Sequence, residues 1–378
     1  MPGGTPGAAI VPTVTDGSLP WVDVRHLADH GPVGALDVDG SVRAPVLLVR
    51  LDAPAESAAV AAAAAAVADA VADVAGIIVG VATGGPVDPA MDCLVGALDL
   101  TLVPPGAGEP RERVEVEDPV AAAAQLHAAV AANPQAATVL AGLLRWSGSL
   151  RVPDALDAES LAYSTLLGGR EFRRWLERRG PRASPPPAAD PVLVARDGDE
   201  LRITLNRPER RNAYGREVRD GLVAALEIAV FDPGVARVVL DGAGPLFSAG
   251  GDLAEFGTAP DLATAHLVRT RGGAGRLLHR LAQRVEARVH GRCVGAGIEL
   301  PAFAGRVVAR GDATFQLPEV GMGLIPGAGG TVSIPRRIGR WRALYLALSG
   351  RPLDAVMALE WGLVDVVEAV GGESTVRR

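Results

Sequence analysis

Apolar positions along the chain fall into short unbroken runs and longer stretches with helical spacing. Ala44–Leu51 (APVLLVRL), bounded by Pro45 and Asp52, reads as a buried strand. Ala58–Val74 is helical by its alanine content. Gly76–Val81 and Leu98–Val103 read as further strands, and strand, helix, strand in this order predicts βαβ units and a parallel sheet. From Asp118 to Trp146 the pattern is helical, with Pro134 breaking it into two helices. A further helix fits Asp157–Arg179, placing Leu161, Ser164, Thr165, Phe172, Trp175 and Leu176 on one face, with Gly168-Gly169 as a point of division. Residues 1–43, rich in Gly, Pro and Asp, read as a largely irregular lead-in with a short ordered piece at Trp21–Leu27.

The proline-rich stretch Pro181–Asp190 (PRASPPPAAD) lacks any apolar pattern and reads as a linker. The expected organisation is therefore a lead-in over 1–43, an α/β and helical domain over 44–180, a linker over 181–190 and a second α/β domain over 191–378. In that last part Val192–Ala195 and Leu201–Leu205 form a hairpin about Asp197-Gly198-Asp199. The turn Asn206–Ala213 leads into a helix that ends at Asp232-Pro233-Gly234, with Asn212 as its expected cap. Val235–Leu240 is a strand, Ala263–Leu281 a helix and Val285–Val289 a strand.

Composition narrows the chemistry. Hydrophobic residues make up 48% of the 378 residues and aromatic ones 4%, so the core is built mainly from Ala, Val and Leu. The net charge of −7 disfavours a general nucleic-acid binder. Every basic side chain except histidine is Arg, which excludes Schiff-base catalysis and a phosphate-loop lysine. Cys93 and Cys293 have no metal spacing, and a reduced, cytoplasmic protein is the economical expectation. The first residues lack the basic and apolar regions of a signal peptide, and no apolar run is long enough to predict a transmembrane helix. None of the six histidines stands at a metal spacing; His290 is expected to pack or hydrogen-bond beneath a site, and Cys293 to be a small core residue.

One stretch carries most of the candidate chemistry: Arg292–Thr331, RCVGAGIELPAFAGRVVARGDATFQLPEVGMGLIPGAGGT. It holds the small-residue turn Gly295-Ala296-Gly297, then Glu299, then Glu319 after Pro318, then the glycine-rich segment 326–330. A second small-residue turn, Ala249-Gly250-Gly251, lies upstream, and each turn is expected to follow a strand and precede a helix. Together the two turns can aim backbone N–H groups at one carbonyl oxygen and stabilise a developing enolate. Glu299 and Glu319 sit among apolar neighbours, where burial raises a carboxyl pKa towards the range useful for proton transfer.

Five segments in order, NRPERRNAY, LFSAGGDLAEF, VHGRCVGAGIEL, FQLPEVGMGLIPGAGGTVSIPRRIG and ALSGRPLDAVMALEWGLVDVV, resemble the enoyl-CoA hydratase/isomerase, or crotonase, superfamily over about residues 191–368. The resemblance implies a spiral of ββα units preceded by an α/β and helical domain, an acyl-CoA thioester as substrate, and no metal or separate cofactor. It implies that the N–H groups of Gly251 and Ala296 form the oxyanion hole, with Ala296 standing where glycine is usual. It also implies that Glu299 and Glu319 are the two hydratase glutamates, Glu319 handling the Cα proton. Arg210, Ala249, Asp252, Leu253, Pro318 and Gly327 fall at substrate-binding positions, and Arg207 and Arg211 join Arg210 as candidate CoA phosphate partners. Isomerases of the family commonly keep only the second glutamate, so the pair favours adding or removing water across Cα–Cβ. Fatty-acid or secondary metabolism is the expected setting. A homotrimer or hexamer is the superfamily's habit.

Two features depart from the family pattern. The usual C-terminal helices are missing after the GLVD segment, and about 190 residues precede the matching part. That front half, through AESLAYSTLLGGREFRRWLERR, resembles the extension of the actinobacterial dihydroxyphenylacetyl-CoA dioxygenases, which are cofactor-independent oxygenases on the same fold. Those enzymes typically carry an amide at the position of Glu299, which argues against oxygenase chemistry here. The alternatives to a hydratase are such a dioxygenase or a non-catalytic acyl-CoA-binding or assembly subunit. Helices within 118–180 are expected to cover the core in place of the missing ones.

Overall fold

The computed structural model describes residues 19–32, 35–52, 55–70, 76–183, 186–187, 189–370 and 375–377. The chain forms two compact units, residues 1–142 and 143–378.

In the first unit, β1 (Trp21–Asp23) leads directly into α1 (Val24–His30), whose first turn is capped by Asp23 accepting from the His26 N–H at 2.7 Å. β2 (Ala35–Leu36) and β3 (Val42–Arg43) pair as a small antiparallel hairpin. Then come β4 (Val46–Arg50), α2 (Ser57–Ala70), β5 (Ile77–Val81), α3 (Asp92–Ala97), β6 (Leu100–Val103), β7 (Arg113–Glu115) and α4 (Pro119–Ala132). The sheet order is β1-β4-β5-β6-β7, all parallel. Strands laid down one after another with right-handed crossovers put every connecting helix on one face. Accordingly Val24, Leu27, Val60, Ala63, Val67, Leu94 and Val95 of α1 to α3 share a core with Val49 and Ile78 of the sheet. α4 covers strands β4 to β6, so the buried strands of this parallel sheet have cover.

The expected strands and the helix over 58–74 are found, although 71–74 lie outside the described residues. The short ordered piece expected at Trp21–Leu27 is found, extended to His30, but it is a part of the first unit's core and not of a lead-in. β1 and α1 fall inside 1–43 and belong to this core, because Trp21–Asp23 registers beside Leu48–Arg50 as an added strand. Residues 1–18 and 33–34 lie outside the described residues. α5 (Pro134–Trp146) begins at the expected proline break and runs across the boundary between the units.

The second unit opens with α6 (Val152–Leu167) and α7 (Arg170–Arg179), parted at Gly168-Gly169 as the pattern predicts. The domain break expected at 181–190 is therefore displaced. These two helices, placed before that break, bury Glu159, Ser160, Ser164 and Phe172 within the second unit. Of the linker itself, residues 184, 185 and 188 lie outside the described residues, and the Pro186 carbonyl accepts from Arg207 at 3.1 Å.

β8 (Val192–Asp197) and β9 (Glu200–Leu205) form the expected hairpin. They are followed by α8 (Arg216–Phe231), β10 (Arg237–Gly242), α9 (Leu262–Gly272), α10 (Gly275–Arg280), β11 (Val285–Val289), β12 (Arg292–Val294) and α11 (Ala296–Glu299). The chain continues through β13 (Arg306–Arg310), β14 (Thr314–Gln316), α12 (Gly330–Ser349), β15 (Leu353–Asp354), α13 (Ala355–Trp361), β16 (Val366–Glu368) and β17 (Thr375–Arg377). A seven-stranded sheet runs β17-β16-β13-β11-β10-β9-β8, with parallel pairs except at its two ends. A second, shorter ladder, β12-β14-β15, is extended by the bridges Ser248 to Cys293 and Tyr214 to Gly251. Each turn of chain thus supplies one strand to the large sheet, one short segment to the small ladder, and then helical structure. This repetition is the ββα spiral of the crotonase fold, and it brings every short segment to one side, where the candidate residues lie.

Candidate active site

The two small-residue turns meet in the short ladder. Val294 N–H donates to the Ser248 carbonyl at 3.0 Å, which lays Ser248–Gly251 alongside Cys293–Ala296. A side chain on Gly250 would have its Cβ 2.6 Å from the Val294 carbonyl oxygen, so only glycine permits this approach. Ala296 opens α11, where its N–H has no intrahelical partner, and Gly251 lies outside any helix. Neither N–H donates to a protein acceptor among the described residues. The second turn follows a strand and precedes a helix as expected. The first does not: residues 253–257 continue as turns, and α9 begins only at Leu262.

Asn212 behind the first turn corrects another expectation. The cap position of α8 is Gly215, and Asn212 is fully buried instead. Its side chain accepts from Arg207 N–H at 2.8 Å and donates to the carbonyls of Ala243 and Phe247 at 2.8 and 3.0 Å. It therefore ties the 206–212 turn to the 243–248 loop. His290 Nε2 lies 3.0 Å from the Gly244 carbonyl, and Cys293 is buried with its thiol pKa pushed up by desolvation, both matching what the sequence suggested.

Glu299 and Glu319 come together at Gly295. An ideal Cβ on Gly295 would stand 2.4 Å from Glu319 Oε1 and 3.6 Å from Glu299 Oε1, directly before the Ala296 N–H. Their surroundings differ sharply. Glu299 Oε2 accepts from the N–H groups of Ala328 and Gly330 at 2.7 and 2.9 Å. Burial pushes its pKa up to about 7, while those two donors pull towards the ionised form. Glu319 Oε2 is buried with no hydrogen-bond partner. Burial first, then the neighbouring Glu299 charge, holds its pKa well above the usual carboxylate range. One group is equipped to be a carboxylate, the other to keep its proton.

A third carboxylate, not anticipated from the sequence, reaches the same turn from α6. Glu159 Oε1 accepts from Gly329 N–H at 2.8 Å, and its Oε2 accepts from Thr331 N–H at 2.9 Å and lies 2.7 Å from the Thr331 hydroxyl. Burial and the nearby Glu299 raise its pKa to about 8. Tyr163, one turn further along α6, lies against Gly327, where any Cβ would be 2.3 Å from its ring, and the Arg269 guanidinium stacks over that ring at 4.5 Å. α7 crosses Gly323 at Glu171 and Phe172, and Phe172 packs near Phe256, whose ring abuts Gly251. Of the helices expected to cover the core, α6 and α7 do so.

The local pattern marks Glu159 as inward-facing but says nothing of its partners. Val152, Ala155, Glu159, Tyr163 and Leu166 recur at helical spacing, so a carboxylate occupies a position of the inward stripe. Leu161, expected on the buried face, is 56% exposed.

Of the other candidates, Arg210, Arg211, Ala249, Asp252 and Leu253 line a cleft of about 320 Å³, together with Arg182 and Gly251. Arg210 Nη2 bonds both Asp252 carboxylate oxygens at 3.0 Å. Arg207 is spent elsewhere: buried, it pairs with Glu217 at 2.7 Å and Glu209 at 3.2 Å and donates to the Pro186 carbonyl. Pro318 immediately precedes Glu319, and Gly327 lies on the turn facing Tyr163. Among the described residues no group of three or more His, Cys, Asp or Glu side chains is placed to hold a metal ion, and no helix is long and apolar enough to cross a membrane.

Comparison with known proteins gives the same frame. The family model for enoyl-CoA hydratase/isomerase matches residues 200–374. The 2,3-dehydroadipyl-CoA hydratase of Escherichia coli (strain K12) is 39% identical over 176 residues, covering 47% of this chain and 68% of the relative. The 1,2-epoxyphenylacetyl-CoA isomerase of the same organism is 38% identical over 169 residues, covering 43% of this chain and 64% of the relative. Among solved structures, the enoyl-CoA hydratase of Thermoplasma volcanium GSS1 is 35% identical, with a TM-score of 0.43, over 48% of this chain and 71% of that one.

Proposed function

Since the chain belongs to the enoyl-CoA hydratase/isomerase family, we propose that it adds water to, or removes it from, the Cα–Cβ bond of an acyl-CoA thioester. The observation that carries this reading is the unequal pair at Gly295: a carboxylate held by two N–H groups and a second carboxyl with an unpartnered oxygen, both flanking a free backbone donor.

In the hydration direction the thioester oxygen lies between the Gly251 and Ala296 N–H groups, which stabilise the enolate as it forms. Glu299, ionised, takes a proton from a water molecule as that water's oxygen bonds to Cβ. Glu319, protonated, gives its proton to Cα. The product has gained one water. The proton now on Glu299 returns to Glu319 before the next turnover, leaving both groups as they began. The 320 Å³ cleft receives the CoA portion, with Arg210 and Arg211 as phosphate partners and Ala249, Asp252 and Leu253 as its wall. Pro318 and Gly327 border the acyl group. The carboxylates serve as acid and base, so the reaction as drawn draws on the protein's own groups and water.

Glu299→Gln and Glu319→Gln test this. Each removes one proton-transfer group and leaves the cleft intact, so each should lower the hydration rate of crotonyl-type thioesters roughly 1000-fold, with CoA binding retained. Loss of enoyl absorbance measures the rate and calorimetry the binding. Wild-type rates in both variants would refute the assignment.

A further inference from the structure

The turn leading into α12 and the first two residues of that helix offer four consecutive N–H groups, Ala328 to Thr331, and two carboxylates take them alternately. Ala328 and Gly330 donate to Glu299 at 2.7 and 2.9 Å. Gly329 and Thr331 donate to Glu159 at 2.8 and 2.9 Å. Neither carboxylate collects all four donors, and each has taken one alternate pair. The turn is built from Gly327, Ala328, Gly329 and Gly330, so it has little conformational preference of its own. Gly330 has no space for a side chain, since a Cβ would lie 2.6 Å from Glu299 Cγ. The N–H groups of Val332 and Ser333 hold the Gly329 carbonyl from within α12, which leaves the turn's own four N–H groups to the two carboxylates.

We infer that Glu159 is a positioning residue for Glu299. By holding Gly329 and Thr331 it fixes the turn whose other two N–H groups aim the Glu299 carboxylate. Both Glu159 oxygens are already engaged by the turn, so it acts through that turn and not on the substrate. Loss of this acceptor would leave two buried N–H groups unmet, which is costly enough for the turn to rotate in search of partners. Ala328 and Gly330 would move with it, and Glu299 would lose its aim. Glu159 lies outside the family-matched segment 200–374, so an element added to the family fold completes the site. The inference rests on the hydratase reading for its catalytic consequence only; the positional claim is independent of it.

Glu159→Gln is the discriminating variant, because an amide has one acceptor atom where two N–H groups on separate oxygens need two. In the full-length protein, kcat should fall roughly 100-fold with KM within about twofold, the pattern of a misaligned catalytic group beside an intact CoA cleft. Added to Glu299→Gln, it should lower kcat no further, because its effect passes through Glu299. Amide hydrogen exchange should accelerate at Gly329 and Thr331 and also at Ala328 and Gly330. An additive loss in the double variant, a KM that rises in step with the fall in kcat, or unchanged exchange at Ala328 and Gly330 would each overturn the inference. Should Glu159→Gln fail to fold, Thr331→Val removes one of the three contacts and keeps the shape. It should lower kcat about threefold with KM unchanged, and no change would overturn the inference. If Glu299→Gln turns over at the wild-type rate, the hydratase reading fails, yet the exchange measurement still decides the role of Glu159.

Discussion

The two ends of the proposed site are built on different terms. At the CoA end, Arg210, Arg211, Asp252 and Leu253 line an open cleft, and the main ion pair, Arg210 with Asp252, is partly exposed on the arginine side. At the reacting end three carboxyl groups, Glu159, Glu299 and Glu319, are buried within reach of one glycine-rich turn. In water an extra contact of the first kind is worth little. At the buried end desolvation raises the pKa of all three groups, and the N–H donors at Glu159 and Glu299 oppose it. On the proposed reading, binding is spread over several exposed contacts, while the chemistry rests on a few buried groups.

The sharpest way to break that contrast is Gly295→Ala. Gly295 has φ +50, and the added methyl would begin 2.4 Å from Glu319 Oε1. The substitution strains the backbone and displaces Glu319 from the side that faces Ala296. Turnover should drop roughly 100-fold, read from initial rates with a saturating enoyl thioester, while CoA affinity stays near that of the unaltered protein. A comparable fall in CoA affinity would show that the two ends are not separable.

Next in size is the pH profile of kcat. Glu299, with its pKa near 7, must be ionised, so activity should rise as pH increases through about 7. Glu319 must keep its proton and is held well above the usual range, so activity should decline again only on the alkaline side. In Glu319→Gln the alkaline limb should vanish from the residual rate and the acid limb remain. An acid limb near 4.5, the ordinary value of a glutamate, would mean that Glu299 is not in the environment described here.

Arg210→Ala should have a smaller effect and one confined to the other end. It removes a cleft cation and leaves the nearly buried Asp252 carboxylate facing the CoA phosphates. KM should rise about tenfold with kcat within about twofold. A kcat effect larger than the KM effect would place Arg210 in the chemistry.

The same contrast explains what could be read from the amino-acid sequence. The cleft and the pair Glu299 and Glu319 are local: each sits beside a small-residue turn that marks where backbone N–H groups are exposed. Strands such as Ile77–Val81 and Val285–Val289 were legible because short apolar runs bounded by polar or glycine residues have few other fates. Glu159 was not read, because its partners Gly329 and Thr331 lie 170 and 172 residues away and no local pattern reports such a pairing. Asn212 failed for a related reason. An Asn before a helix is usually a cap, and only the approach of the 243–247 loop makes it a buried tie. The unit boundary escaped because proline density marks an irregular segment, not which side its neighbouring helices pack on.

The smallest predicted effect is on stability. Glu159 is raised to about 8 and Glu299 to about 7 from an ordinary 4.5, and Glu319 is raised well above it. For a carboxyl whose folded pKa exceeds its unfolded one, the folded state binds the proton more tightly. Its contribution to stability is complete below the unfolded value, about 4.5, and is lost progressively as pH rises through the folded one. All three groups act in the same direction. Thermal unfolding of the second unit should therefore shift to lower temperature between about pH 4.5 and pH 8, the window these values set. In Glu159→Gln the slope should be shallower, because the neutral amide carries no proton to lose. A slope unchanged by Glu159→Gln would mean that Glu159 titrates alike in the folded and unfolded chain, and the burial argued for it at the turn before α12 would be wrong.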